Sequence, residues 1–334
     1  MSTHLYIGQQ PIHKGQKGLP MSLYRKRVVI ISALFLFFTL ACQESQAEKI
    51  SAAAQTAQSR HQTPETVQIR SLDELLALFD KLNYNSASWA AGNREIPRLS
   101  FDQVRENWKN TLQEVPVPIK KQVFFRLMAP LVLMANEKIL DARQLVTEKD
   151  LADPQLITLA AEYKVIPDRV IALDEKQRQE LLARVDILPP SLVLAQAAEE
   201  SGWASSRFTI EGNAFFGQWD FSGKGMIPEK QRKELGNYGL ARFDSPLASV
   251  EGYMFNINTH TAYQKLRTLR AKLRANGKLL TGIKLAGTLD KYSERGQAYI
   301  EGLKKMIRFN KLESVDEAYL SDKRGWRLIS KAGE

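Results

Sequence analysis

Apolar residues recur at helical spacing along most of the chain beyond residue 70. Leu72, Leu75, Leu76, Leu78 and Phe79 share one face. Ser71 precedes them with Glu74 three places on, so the pattern predicts a capped amphipathic helix ending near Asn83. From Lys120 to about Val146 the chain is apolar almost all round (Phe124, Phe125, Leu127, Met128, Leu131, Val132, Met134, Ala135). That marks a buried helix, with Pro130 expected to kink it. Further helices are expected over 154–163, 175–185, from about 191, over 246–273 and over 296–310. Between Gly212 and Phe243 glycine is frequent and apolar residues are scattered. Loops and a small β-hairpin fit that stretch. The layout is mainly α (α+β), with one irregular lobe and no internal repeat.

Ahead of residue 70 the pattern changes. Arg25-Lys26-Arg27 is followed by Val28–Ala41, which is apolar apart from Ser32 and Thr39. A run of about 14 residues is short for a membrane span and right for a signal-peptide core. Ser45-Gln46-Ala47 supplies small residues for cleavage, and a start at Met21 would give an ordinary signal peptide. Cys42 closes the run as Thr39-Leu40-Ala41-Cys42 and offers a lipidation site as the alternative to cleavage. An uncleaved signal anchor is the third reading. All three place the protein in the periplasm, free or membrane-anchored. Residues 48–70 are polar and read as a tether.

Composition adds little to this. Hydrophobic residues make up 44% of the 334, enough for a substantial core. The formal net charge is +10, and +6 of it lies beyond residue 47. A mildly basic surface suits an anionic polymer; expected export favours a cell wall over nucleic acid. The single cysteine excludes an internal disulfide. Of the four histidines, His4 and His13 precede the signal core and His61 lies in the tether. No cluster has metal-ligand spacing, and no cofactor is implied.

The chemistry concentrates in Ser191–Trp219. An apolar helix ends in two adjacent carboxylates, Glu199 and Glu200, and a Ser201-Gly202-Trp203 corner follows. A carboxyl in apolar surroundings keeps its proton towards neutral pH and can give it to a leaving sugar oxygen.

These pieces resemble glycoside hydrolase family 73, and most of all its Bax-type bacterial glucosaminidases. The resemblance rests on Arg184-Val185-Asp186-Ile187-Leu188-Pro189 and Ala197-Ala198-Glu199-Glu200-Ser201-Gly202-Trp203. It continues through Asn213 with Phe215-Phe216-Gly217, Phe243-Asp244-Ser245, Asn256-Ile257-Asn258-Thr259-His260, and Tyr292-Ser293 with Gly296 and Tyr299. It covers about 119–315. It implies a lysozyme-like domain over 119–315; the chain's own pattern puts a signal region (1–47), the tether (48–70) and a helical extension (71–118) before it and a tail (316–334) after it. It implies hydrolysis of the β-1,4 bond after N-acetylglucosamine in peptidoglycan glycan strands; a monomer is expected. Glu200 would be the general acid, and Tyr292 would line the cleft.

The second catalytic group stays open. A retaining enzyme places a carboxylate about 5 Å from the acid, an inverting one about 6.5–9.5 Å away. Glu229 and Glu234 are the preferred candidates, ahead of Glu211 and Asp220. The substrate acetamide is an alternative nucleophile. Phe216 and Trp219 are candidate sugar platforms. Trp203, Asn213 and Tyr299 are weighed between substrate contact and packing. Tyr253 and Tyr263 read as core, and the run Arg267, Arg270, Lys272, Arg274 as a solvated basic face. The rival functions are a muramoyl amidase on the same polymer and a non-catalytic wall-binding protein on a degenerate glycosidase fold.

Overall fold

A computed structural model describes residues 62–104, 114–167, 170–229 and 238–330. The fold is mainly α, a lysozyme-like helical domain with a small irregular β lobe. In chain order, β1 (Glu65–Ile69) leads to α1 (Leu72–Lys81), α2 (Ser86–Ala90), β2 (Glu95–Ile96) and β3 (Leu99–Phe101). Then come α3 (Val117–Glu148), α4 (Pro154–Glu162), α5 (Glu175–Arg184), α6 (Pro190–Ser201) and α7 (Arg207–Gly212). The β lobe holds β4 (Trp219–Asp220) and β5 (Gly239–Leu240). Helices α8 (Pro246–Thr259), α9 (Gln264–Ala275), α10 (Gly282–Ala286) and α11 (Gln297–Phe309) follow, and β6 (Tyr319–Leu320) and β7 (Trp326–Ser330) come last. Among the described residues no helix is long and apolar enough to cross a membrane.

Helix α6 is the centre of the domain. Every residue from Pro190 to Ala198 is buried, and α6 packs on α3, α10 and α11. Full burial of Leu192, Val193 and Leu194 contributes roughly 1.5–3 kcal/mol each. Its start is clasped by Asp316. The backbone N–H and hydroxyl of Ser191 donate to the Asp316 carboxylate at 2.9 and 2.8 Å, and the N–H of Gly282 donates to it at 3.0 Å. Gly282 has to be glycine: a Cβ there would lie 2.2 Å from Ser191 Oγ and 2.7 Å from Leu192 N. Helix α3 runs unbroken through the buried Pro130.

Three expectations are corrected. Residues 65–69, expected in the tether, form β1, and residues beyond 316, expected as a tail, form β6 and β7. Strand β7 lies between β1 and β3 and is parallel to both, with Trp326 opposite Glu65 and Leu99; β2 pairs parallel with β6. The two chain ends thus build one sheet, and the extension is only partly helical. Arg98 locks this unit to α3: it is buried and forks onto Glu137 with two bonds of 2.6 Å while donating to Ser321 O. Second, the helix expected over 246–273 breaks at His260. That residue takes an extended conformation, and its ring Nδ1 accepts from Ala262 N to start a short 3-10 turn.

Third, the basic run is not a solvated face. Arg267 and Arg270 are 1% and 0% exposed. Arg267 donates to Ile257 O and His260 O, and Arg270 to Asp186 O, Ile187 O and Ala183 O. Arg274 grips the Asp186 carboxylate at 2.6–3.0 Å, with Arg270 and Arg143 within 3.9 Å. Lys272 and Arg274 are the exposed members of the run, Arg274 while holding Asp186. Arg270 caps carbonyls at and just beyond the C-terminus of α5, and Arg267 caps carbonyls at the C-terminus of α8, which is why two arginines of a basic run can be buried.

Candidate functional site

Helix α6 surfaces only in its last turn, where Glu199 and Glu200 are exposed and Ser201 is buried again. Glu200, at the helix C-terminus, faces the negative end of the helix dipole, which disfavours its ionised form. The chain then turns sharply: Gly202, Trp203 and Ala204 all have positive φ, at 57°, 62° and 65°. For two non-glycine residues this conformation costs of order 1–3 kcal/mol each. It is held by Ser201, whose hydroxyl donates to Ala197 O and accepts from Ala204 N. Trp203 is held too, packing edge-on against Phe124 and Phe125 at 5.4 and 5.2 Å. The corner thereby fixes where the helix ends and where Glu200 stands.

A directed hydrogen-bond chain meets Glu200 from inside the protein. The Tyr253 hydroxyl donates to Gln196 Oε1. Gln196 Nε2 donates to the Tyr299 hydroxyl at 3.0 Å, and Tyr299 donates to Glu200 Oε1 at 2.7 Å. Tyr253, Gln196 and Tyr299 are 1% exposed or less. Tyr292 stacks on Tyr299 at 5.4 Å and reaches the Phe216 carbonyl, with Tyr253 and Tyr263 at its edges. Oε1 is therefore pinned, and Oε2 is left for a proton.

Electrostatics follow from this packing. Glu200 as a residue reaches solvent, but desolvation of its carboxyl beside Tyr299 pushes its pKa above the usual glutamate range. The Tyr299 hydrogen bond and the Arg295 charge pull it down, and the Glu199 charge pushes it up. Glu199 is itself paired to Arg295 at 2.8 Å. Burial likewise pushes the hydroxyls of Tyr253, Tyr263, Tyr292 and Tyr299 up, with the Glu200 charge as a further cause in each. All four hydroxyls stay protonated. Such a carboxyl can hold a proton at a pH where a solvated glutamate has lost it, while remaining reachable from solvent.

The expected site residues divide. Glu200, Tyr292 and Tyr299 come together. Trp219 is half exposed and stacks on Tyr238 at 5.1 Å in the β lobe, beside the exposed Phe221. Phe216 is 3% exposed and stacked on Tyr253 at 4.1 Å, so its ring is occupied by packing and offers no free face. Trp203 belongs to the corner. Asn213 is a left-handed helix cap whose amide donates to Asp102 O and Phe243 O, tying the β lobe to the extension. Glu229 is exposed in the lobe. Glu211 pairs with Arg207, and Asp220 caps Ser222. Glu234 and Cys42 lie outside the described residues, as do the signal region and most of the tether.

Gln196, Tyr253, Tyr263 and Arg295 were not singled out as site residues. Gln196 carried a readable signal: it is the one polar residue in the otherwise apolar Leu192–Ala198, and a fully buried amide needs partners.

Comparison with known proteins finds relatives of the chain. The family model described as mannosyl-glycoprotein endo-beta-N-acetylglucosaminidase matches residues 175–312, the span from α5 to the end of α11. Protein bax of Escherichia coli (strain K12) is 31% identical over 196 residues, which are 57% of this chain and 70% of that protein. No solved structure matches the chain.

Proposed function

Since this chain belongs to the Bax-type glucosaminidase family, we propose that it is an exported glycoside hydrolase of peptidoglycan. It cleaves the β-1,4 bond after N-acetylglucosamine, with Glu200 as the general acid. The observation that carries this reading is the Glu200 carboxyl itself: raised in pKa by burial, fixed at Oε1 by Tyr299, and open at the other oxygen. Oε2 carries the proton to the glycosidic oxygen. Water or the substrate's own acetamido oxygen attacks the anomeric carbon, and either leaves the task of Glu200 unchanged. Trp219 offers a ring face for a sugar to stack on. Positive charge beyond residue 47 and the expected signal sequence favour an anionic extracytoplasmic wall as the substrate.

Mass spectrometry of fragments released from purified wall tests the bond assignment. Reducing N-acetylglucosamine ends are expected. Free lactyl carboxyls would indicate an amidase, anhydro-muramic ends a lytic transglycosylase, and no release a wall-binding protein.

Two substitutions test how the proton is held. Tyr299→Phe removes the donor that favours the Glu200 anion, so the alkaline limb of the pH–rate profile moves to higher pH. kcat falls about tenfold, the worth of roughly 1.4 kcal/mol of charge-assisted hydrogen bond. Glu199→Gln does the reverse. It removes a negative neighbour and frees the Arg295 charge, so the Glu200 pKa drops and the alkaline limb moves to lower pH. Profiles of the three proteins on one wall preparation check both signs.

A further inference from the structure

A second feature lies apart from Glu200, between the N-terminal extension and the helical domain. A cavity of about 830 Å³ opens there, inside the ~300–1,000 Å³ range of small-molecule sites. Its inner end is formed by Ile96, Ala129, Leu194 and Leu312, all buried. Trp89 and Phe125 stand along its sides. At the mouth Val117 and Phe309 are 60% and 72% exposed, so the rim of the cavity is apolar as well as its floor.

The charges at this mouth all have one sign. Lys121, Arg126 and Lys311 line it, and among the described residues no aspartate or glutamate does. The Lys121 ammonium lies over rings, 4.9 Å from Phe309 and 5.0 Å from Trp203. Arg126 is satisfied by Ser86. An apolar pocket with a cationic, carboxylate-free entrance suits a ligand with an apolar body and an anionic end. We propose that this cavity binds an anionic amphiphile: one acyl chain lying against Leu194, Ala129 and Phe125, with its anionic head at Lys121 and Lys311. The extension that closes one side of the cavity would then serve as part of a ligand site.

Isothermal titration calorimetry of the full chain with dodecyl phosphate and dodecanoate, both kept below their micelle concentrations, tests this directly. Saturable binding at one site is expected for both. Dodecanol should bind at least about tenfold more weakly, and inorganic phosphate should not bind at all. The double substitution Lys121→Ala with Lys311→Ala should weaken dodecyl phosphate at least tenfold and leave wall hydrolysis unchanged. Ala129→Phe should block the chain. If it unfolds, as a thermal melt would reveal, the lysine pair still decides. Equal binding of dodecanol, no binding of either anion, or an unchanged affinity in the lysine variant would each overturn the proposal.

Discussion

Glu200→Gln is expected to abolish wall hydrolysis, lowering kcat by about 10²–10⁴-fold, the usual contribution of a positioned general acid. The amide keeps the shape of the side chain and can still accept from Tyr299 at Oε1, so the fold and the tyrosine cluster survive. What it loses is the proton on the other oxygen. Stability should move the opposite way to activity. The folded pKa of Glu200 lies above that of a solvated glutamate, because burial disfavours the anion. Such a group stabilises the protein fully below the unfolded pKa, and that contribution is lost as pH rises through the folded value. At neutral and alkaline pH the variant should therefore be at least as stable as the parent. Zymograms and thermal melts measured together check both halves. A variant that still clears wall would remove Glu200 from the chemistry.

The second large effect is structural. Asp186→Asn should destabilise the protein by about 3–5 kcal/mol, the cost of leaving buried charge uncompensated. For a domain of this size that is a fall in Tm on the order of 10 °C. Asp186 is 2% exposed and faces Arg274, Arg270 and Arg143. Burial alone would raise its pKa, but the Arg274 hydrogen bonds and the three guanidinium charges hold it below the usual aspartate range. A depressed carboxyl contributes stability that is present above the unfolded aspartate pKa and is lost as pH falls through the lower folded value. The parent should lose this increment in acid, and the gap between the two proteins should narrow there. Urea denaturation from neutral to acidic pH reads both the size and the pH dependence.

These two residues also mark how much was legible in the sequence. Glu200 stood out because a long apolar helix ending in paired carboxylates is a local pattern. The helices over 72–81, 154–162, 175–184 and 297–309 were legible for the same reason, through caps and 3.6-residue periodicity. Asp186 was visible as part of a motif, but not as the counter-ion of a buried arginine cluster. Arg270 and Arg274 lie over 80 residues further along and Arg143 lies on an earlier helix, and periodicity cannot distinguish a buried guanidinium from a solvated one. The parallel sheet of β1, β7 and β3 was missed because strands of three to five residues from opposite chain ends leave no local signature. Tyr253 and Tyr263 looked like packing, and they do pack. That Tyr253 reaches the Glu200 carboxylate through Gln196 and Tyr299, and that Tyr263 packs beside Tyr292, depends on how α8, α11 and the 3-10 turn meet α6, a tertiary fact.

The central claim is that the proton used in hydrolysis sits on Glu200. Carbon-13 NMR titration of its side-chain carboxyl, followed in the parent and in Tyr299→Phe, measures this directly. The parent carboxyl should titrate above the ordinary glutamate range, coincide with the alkaline limb of hydrolysis, and move upward with that limb in the variant. A carboxyl that titrates like a solvated glutamate, or a limb that ignores its shift, would contradict it.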